Sequence, residues 1–219
     1  MDRARTVVLL GLFAVSGALD ALSFLTYKAF VAAQTGNLIL LPLALFAGLP
    51  ALAWQASGAS IGGFIIGAVA GGRIVRGRDR DGAWRTMTRV ILPMESVLIG
   101  LAALAWVLTN RRGPNPWLVL GILAMGLGLQ ASLARAISHD GFNSLVVTVS
   151  LTSLTAGSRL GADDAGWRAG AMPVAMVLVG ASVGALAFAT HVPLGACLAA
   201  IAMAVVVLAV VGRSIEAGT

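Results

Sequence analysis

The chain has 219 residues, of which 58% are hydrophobic and only 11% are charged. Its mean hydropathy is +0.93, so it lacks the polar surface that a water-soluble domain of this length needs. The apolar residues come in runs of about 20, the length of helix that crosses a hydrocarbon core. An outer-membrane barrel would show short alternating segments instead. The composition therefore predicts an all-α polytopic membrane protein.

The surplus of positive charge has a simpler explanation than nucleic-acid binding. The net charge is +6 and the pI is about 11.2, but the arginines lie between the apolar runs, where cytoplasmic loops face anionic lipid. Membrane lipids are therefore expected partners, and nucleic acid is not. The single cysteine, Cys197, allows no internal disulfide and no metal cluster. We expect no cofactor and no metal.

In chain order, six apolar runs are long enough to span the membrane. They lie at about residues 7–27, 51–72, 90–109, 117–138, 168–190 and 192–212. Two shorter runs, 35–48 and 142–157, are interrupted by polar residues. We interpret these two as re-entrant or broken short helices, which makes six transmembrane helices in all.

The distribution of arginine and lysine favours this interpretation over eight spans. If all eight runs cross, seven basic residues lie on one side and eight on the other. If the two short runs return to the side they entered, twelve lie inside and three outside. The positive-inside rule then places both termini in the cytoplasm of a bacterium, with the protein in the inner membrane. An eight-segment chain with two kinked spans remains the alternative.

The two halves of the chain resemble each other. Three pairs of segments match in the same order: 10–21 with 120–131, 35–41 with 148–154, and 58–62 with 180–184. Collinear matches indicate an internal repeat, with residues 1–112 as one half and 113–219 as the other in a single membrane domain. Three crossings per half give the halves opposite orientations, an inverted repeat. In such folds the site lies near the midplane, where the broken helices meet.

The interruption 31-VAAQTGNLILL-41 contains polar residues at a depth where backbone cannot face lipid. We expect the short helix that follows to point its N-terminus at the midplane, where free N–H groups favour an anionic or electron-rich group. Thr35 and Asn37 are natural N-caps. They serve either as caps alone or as caps that also line a polar site.

Asp20 lies about 13 residues into the first span, roughly 20 Å from its start. A carboxylate at that depth is costly and is a functional hypothesis by default, here as a proton carrier. The alternative is a structural Asp that caps or pairs within the bundle. Glu95 lies near the inner end of its span, and we expect it to reach the interface or to pair with Arg89 or Arg135.

Three stretches resemble the YoaK-like family of bacterial membrane proteins. They are 17-GALDALSFL-25, 31-VAAQTGNLILL-41 and 125-MGLGLQASLAR-135. The resemblance covers nearly the whole chain and implies a six-span fold with no established substrate. This chain departs from the family pattern at Ala131, where Asn often follows the Gln. It departs again at Thr148-Val149, where a second Thr-Gly is common.

Together these features predict a small-solute transporter or channel whose polar site lies at the midplane. The substrate would be a small polar or anionic metabolite or an ion, with proton coupling through Asp20. The candidate substrate-binding residues are Asp20, Gln34, Thr35, Asn37, Gln130, Thr148, Ser150 and Thr152.

Two other functions compete with transport. A non-transporting scaffold or accessory subunit would have a sealed interior with its polar groups bonded to one another. An enzyme is not expected, because the sequence shows no catalytic acid–base cluster and no metal motif. Glycines spaced four apart, such as Gly67 and Gly71, allow close helix packing within one chain or across a homodimer.

Overall fold

A computed structural model describes residues 3–47, 52, 54–108, 115–137 and 167–217. Its helices are α1 (Arg3–Tyr27), α2 (Gln34–Phe46), α3 (Trp54–Val75), α4 (Arg80–Thr86), a π-helical turn (Met87–Ile91), α5 (Leu92–Leu108), α6 (Pro116–Ile137), α7 (Trp167–Ala189) and α8 (Leu194–Ala217). No strand occurs among these residues. Six helical stretches are long and apolar enough to cross a membrane, counting α4, the π turn and α5 as one continuous stretch. The predicted all-α polytopic membrane fold is confirmed.

The short helix α2 has 13 residues, or about 20 Å of helix. The hydrocarbon core is about 30 Å thick, so α2 is too short to cross it. This agrees with the short helix predicted at 35–48. The second short run, 142–157, lies outside the described residues.

Glycines let the long helices pack in parallel pairs. On α7, a side chain at Gly180 would collide with the carbonyl of Ala14, and one at Gly184 would lie against the carbonyl of Ala18. The numbers rise together, so α1 and α7 run in the same direction.

The same arrangement joins α3 to α6. A side chain at Gly63 would collide with the carbonyl of Gly121, and one at Gly67 with the carbonyl of Met125. These two helices are therefore also parallel. Interhelical contact through bare backbone is typical of membrane helices, where small residues at the interface permit close approach.

The third pair, α5 and α8, runs antiparallel. The Ser96 hydroxyl donates to the carbonyl of Ala202 at 2.9 Å. Gly195, earlier on α8, lies beside Val107, later on α5. The numbers thus rise in opposite directions along the two helices.

These directions distinguish six spans from eight. With six crossings in alternating directions, α1 and α7 are parallel, α3 and α6 are parallel, and α5 and α8 are antiparallel, as observed. With eight crossings, α5 and α8 would be parallel. The eight-segment alternative therefore disagrees with the packing, and residues 28–46 enter and leave at one face. We call them the re-entrant segment.

Both described chain ends lie at the other face. Arg5, at the start of α1, forms an ion pair with Asp81 at 2.8 Å and lies over the ring of Trp84 at 5.3 Å. Arg213, near the end of α8, donates through Nε to the carbonyl of Thr88 at 3.2 Å. We call this side the terminal face.

The π turn lies just before Pro93. Leu92 N–H bonds to the Met87 carbonyl five residues back, and the next residue, Pro93, has no N–H to offer. The carbonyl of Thr88 in this turn accepts a hydrogen bond from Arg213 on α8. The predicted span 90–109 is thus the end of a longer helix that begins at Arg80, because α4 continues into α5 through this turn.

Two of the segments matched in the proposed repeat have different packing contacts. Gly17 packs on the carbonyl of Val177, and Gly128 packs in the same way on the carbonyl of Phe64. Gly58, however, has no described atom near its missing side chain, whereas Gly180 packs on α1. The matched segments 58–62 and 180–184 thus occupy different environments. The reciprocal pairing of α1 with α7 and of α6 with α3 is what an inverted repeat would produce, and the repeat itself stays a prediction.

Candidate functional site

Asp20 connects α1 to the re-entrant segment. It lies seven residues before the end of α1, about 10 Å below that end of the helix. Its Oδ1 accepts hydrogen bonds from the N–H groups of Val31 at 2.8 Å and Ala32 at 2.7 Å. Its Oδ2 accepts from Ala33 at 3.0 Å. The carboxylate therefore satisfies three successive N–H groups in the chain reversal just before α2.

Asn37 joins the same segment to α3. Its Oδ1 accepts from the Phe30 N–H at 2.9 Å, and its Nδ2 donates to the Phe30 carbonyl at 2.7 Å. Nδ2 also lies within hydrogen-bond distance of Gln34 Oε1 at 2.9 Å and Ser60 Oγ at 3.1 Å. Asn37 is completely buried. The Asn37 amide thus bonds to both backbone groups of Phe30 and stabilises the chain reversal.

Ser60 and Gln34 complete this arrangement, which we call the Asp20 cluster (Asp20, Gln34, Asn37 and Ser60). The Ser60 hydroxyl donates to the Phe30 carbonyl at 2.6 Å. Gln34 Nε2 donates to the Val31 carbonyl at 2.9 Å and lies 3.1 Å from Ser60 Oγ. Buried polar groups of this kind rigidify a fold only when their hydrogen bonds are made.

Gly36 is required by the ring of Phe30. A Cβ at position 36 would lie 2.7 Å from Phe30 Cδ2, and the Phe30 ring is itself stacked on Phe24 with centroids 4.7 Å apart. The ring cannot yield without breaking that stack, so the Thr-Gly-Asn sequence needs its glycine for close packing.

The expected N-cap roles of Thr35 and Asn37 are wrong. The N-cap of α2 is Ala33, which makes no side-chain cap. Thr35 is exposed, and Asn37 lies in the first turn and bonds backwards to Phe30. The Asn37 side chain instead bonds to the backbone of Phe30, and the Gly36 N–H in the first turn bonds to the Ala33 carbonyl at 2.9 Å.

A second polar pair lies between α5 and α6. Glu95 is completely buried. With the Gln130 amide oriented to satisfy both groups, its Nε2 donates to the two Glu95 oxygens at 2.8 and 3.0 Å. This orientation is assigned from the hydrogen bonding. The expectation that Glu95 reaches the interface or pairs with an arginine is therefore wrong, because packing against Gly126 holds its side chain inside the bundle.

The chain matches a known family of proteins. A family model described as "Protein of unknown function (DUF1275)" matches residues 8–211. The chain belongs to the DUF1275 family. YoaK is a member of this family, so the YoaK-like resemblance is confirmed. No curated protein and no solved structure matches the chain.

In this DUF1275 protein, the structure separates the predicted site residues into two groups. Asp20, Gln34 and Asn37 lie together in the Asp20 cluster, whereas Gln130 pairs with Glu95. Thr35 is near the cluster but takes no described part in it. The remaining candidates lie outside the described residues: Thr148, Ser150 and Thr152.

Sequence reasoning missed Ser60 and gave Glu95 the wrong role. Ser60 lies in the 58-GASIG-62 stretch, where the glycines drew attention to packing. A polar residue two turns into an apolar helix was its available signal. Glu95 is a carboxyl residue within a span, the same signal that singled out Asp20. Because Arg89 and Arg135 are nearby in the predicted topology, an interface position or an ion pair was expected instead.

A cavity of about 230 Å³ opens at the face where the re-entrant segment enters this DUF1275 protein. It is lined by the ends of α1, α5 and α7 and the start of α8: Leu22, Thr26, Trp106, Phe188, His191, Val192 and Leu194. None of the Asp20 cluster lines it. The cavity does lie at the end of α1 that carries Asp20, two residues before Leu22.

Proposed function

We propose that this membrane protein is a small-solute transporter in which the re-entrant segment moves. The observation that supports this most directly is the set of partners of the Asp20 carboxylate. Its described hydrogen bonds come from the backbone N–H groups of residues 31–33, with no cation among them. An ionisable group is thus the connection between a spanning helix and a segment too short to span.

A proton would loosen this connection. The ionised carboxylate accepts three charge-assisted hydrogen bonds. The neutral acid has one oxygen committed to its own O–H and accepts more weakly. The three successive N–H groups of residues 31–33, just before α2, are then available to bind another negative group. We propose proton-coupled transport of a small anion bearing a carboxylate or phosphate, which takes the place of Asp20 at these donors.

The wider setting of the site extends the proposal. We place the protein in the bacterial inner membrane with the terminal face towards the cytoplasm. The six arginines between residues 73 and 89 lie at the terminal face, and the positive-inside rule places such residues in the cytoplasm. In the second half, Thr148, Ser150 and Thr152 would provide the opposite side of the site, whereas Gln130 bonds to Glu95 away from it. We keep a homodimer as a further expectation.

The test uses full-length protein in proteoliposomes. A panel of phosphate, sulfate, succinate and lactate is first screened for thermal stabilisation of the wild type. Uptake of each stabilising anion is then measured at pH 5.5 and 7.5. We expect proton-driven uptake in the wild type, and in Asp20→Asn a loss of about tenfold or more in rate with no remaining pH dependence.

The second buried carboxyl provides the control. Glu95→Gln removes an ionisable group of the same type outside the Asp20 cluster, and should retain the pH dependence. Monodisperse elution and an unfolding midpoint must show that both variants fold. Unaltered pH dependence in folded Asp20→Asn, or its loss in Glu95→Gln alone, would remove Asp20 from the mechanism.

A non-transporting scaffold is the second candidate, and the Asp20 cluster also favours it. The side-chain amides of Gln34 and Asn37 are bonded to Ser60 and to the backbone, as expected for a sealed interior. Cysteine accessibility distinguishes the two functions. In a Cys197→Ala background, labelling of Ser60→Cys, at a completely buried position, by a small aqueous reagent supports the transporter, and full protection supports the scaffold.

A further inference from the structure

A basic cavity of about 650 Å³ lies on the terminal face, away from the Asp20 cluster. It is lined by Gly77, Arg78, Asp79, Gly82, Arg85, Thr86, Arg89 and Val90. Three arginines and one aspartate thus contribute to its lining. We propose that this cavity binds the phosphate headgroup of an anionic phospholipid.

The three arginines of the cavity lie in and around α4. Arg85 and Arg89 are four residues apart on the continuous helix that begins with α4, and Arg78 lies two residues before that helix. The carboxylate is committed to the helix start, since Asp79 Oδ1 accepts the Gly82 N–H at 2.9 Å as the N-cap. A phosphate would therefore meet guanidinium groups, whose planar donor forks match its oxygens in pairs.

An apolar track leads away from the cavity along the same helix. Val90 lines the cavity and is exposed, and the exposed residues Met94, Val97 and Leu101 continue from it at intervals of three or four. This track faces outward from the bundle, where lipid tails lie in a membrane. A phospholipid could place its tails on the track and its phosphate among the arginines.

The length of the helix places the arginines at headgroup depth. The continuous helix Arg80–Leu108 has 29 residues, or about 44 Å, whereas the hydrocarbon core is about 30 Å thick. The helix therefore extends beyond the core by several turns at one or both ends. Since the arginine end is the polar one, we assign the phosphate to a lipid and not to a free ion.

The experiment measures unfolding midpoints of detergent-solubilised full-length protein titrated with three ligands. These are phosphatidylglycerol, phosphatidylcholine and inorganic phosphate. We expect saturable stabilisation by phosphatidylglycerol only. Arg78→Gln and Arg85→Gln should each weaken its apparent affinity by about tenfold, the effect of losing one charge-assisted hydrogen bond.

Arg76→Gln is the matched control. Arg76 is exposed on the same loop and carries the same charge, but it does not line the cavity. It should bind phosphatidylglycerol as the wild type does. Equal loss in Arg76→Gln and Arg85→Gln would show general surface attraction and overturn the proposal. Stabilisation by inorganic phosphate at a comparable concentration would overturn the assignment to a lipid.

Discussion

Asn37 is the residue whose side chain makes the most contacts in the Asp20 cluster. Its amide contacts both the N–H and the carbonyl of Phe30, and it also reaches Gln34 and Ser60. Its neighbour Thr35 belongs to the same Thr-Gly-Asn sequence and is exposed. Two polar residues of one motif, on either side of Gly36, therefore have different roles, one structural and one at the surface.

This difference predicts the effects of two alanine substitutions. Asn37→Ala leaves the buried N–H and carbonyl of Phe30 without the Asn37 amide, so we expect a loss of about 2–4 kcal/mol in the free energy of unfolding. Thr35→Ala should change it by less than about 0.5 kcal/mol. Chemical unfolding in detergent measures both. Equal effects would contradict the assignment of the reversal to Asn37.

At the scale of the helices, contact between bare backbones decides which glycines matter. On α3, Gly67 faces the Met125 carbonyl of α6, whereas Gly62 has no described atom within 4 Å of its missing side chain. The two lie on one helix and are five residues apart. Their environments are opposite, although the sequence shows both in small-residue patterns.

Alanine at these two positions should therefore change stability in opposite directions. Gly67→Ala forces α3 away from α6, and we expect a loss of about 1–3 kcal/mol through overpacking. Gly62→Ala removes a flexible residue from a helix interior and should stabilise the protein by up to about 1 kcal/mol. Reversible unfolding of each variant checks this. A stabilising Gly67→Ala would contradict the close packing of α3 on α6.

For the whole molecule, the directions of the helix pairs determine which ends share a face. The start of α1 meets α4 through the Arg5–Asp81 ion pair. The end of α8 meets the π turn through the hydrogen bond from Arg213 to Thr88. The turn between α7 and α8, which contains Thr190, lies at the other face. The first of these faces is the one that we propose to be cytoplasmic.

Side-specific labelling tests this topology. In a Cys197→Ala background, we expect an impermeant maleimide to label Thr190→Cys in intact spheroplasts. Arg76→Cys and Ser214→Cys should react only after permeabilisation, because both lie at the terminal face. Labelling of these two from opposite sides would contradict the six-span packing.

Much of the fold was predictable because hydrophobic run length is a local property. Six runs near 20 residues and one short run at 35–48 predict the long helices and α2 without knowledge of their neighbours. Asp20 was predictable as a special residue for the same reason, since a carboxyl within an apolar run is costly wherever the helix packs. The family resemblance also rested on short local stretches, and the match to residues 8–211 confirms it.

The sequence by itself determined the number of long apolar helices and the depth of Asp20. Only the tertiary structure decided what each polar group contacts: that Asp20 meets residues 31–33, that Glu95 meets Gln130, and that α5 and α8 run antiparallel. These facts depend on chain reversal and helix packing, which bring together residues that are distant in sequence. Membrane sequences repeat the same few small and apolar residues, so several registers fit one pattern until backbone contact selects one.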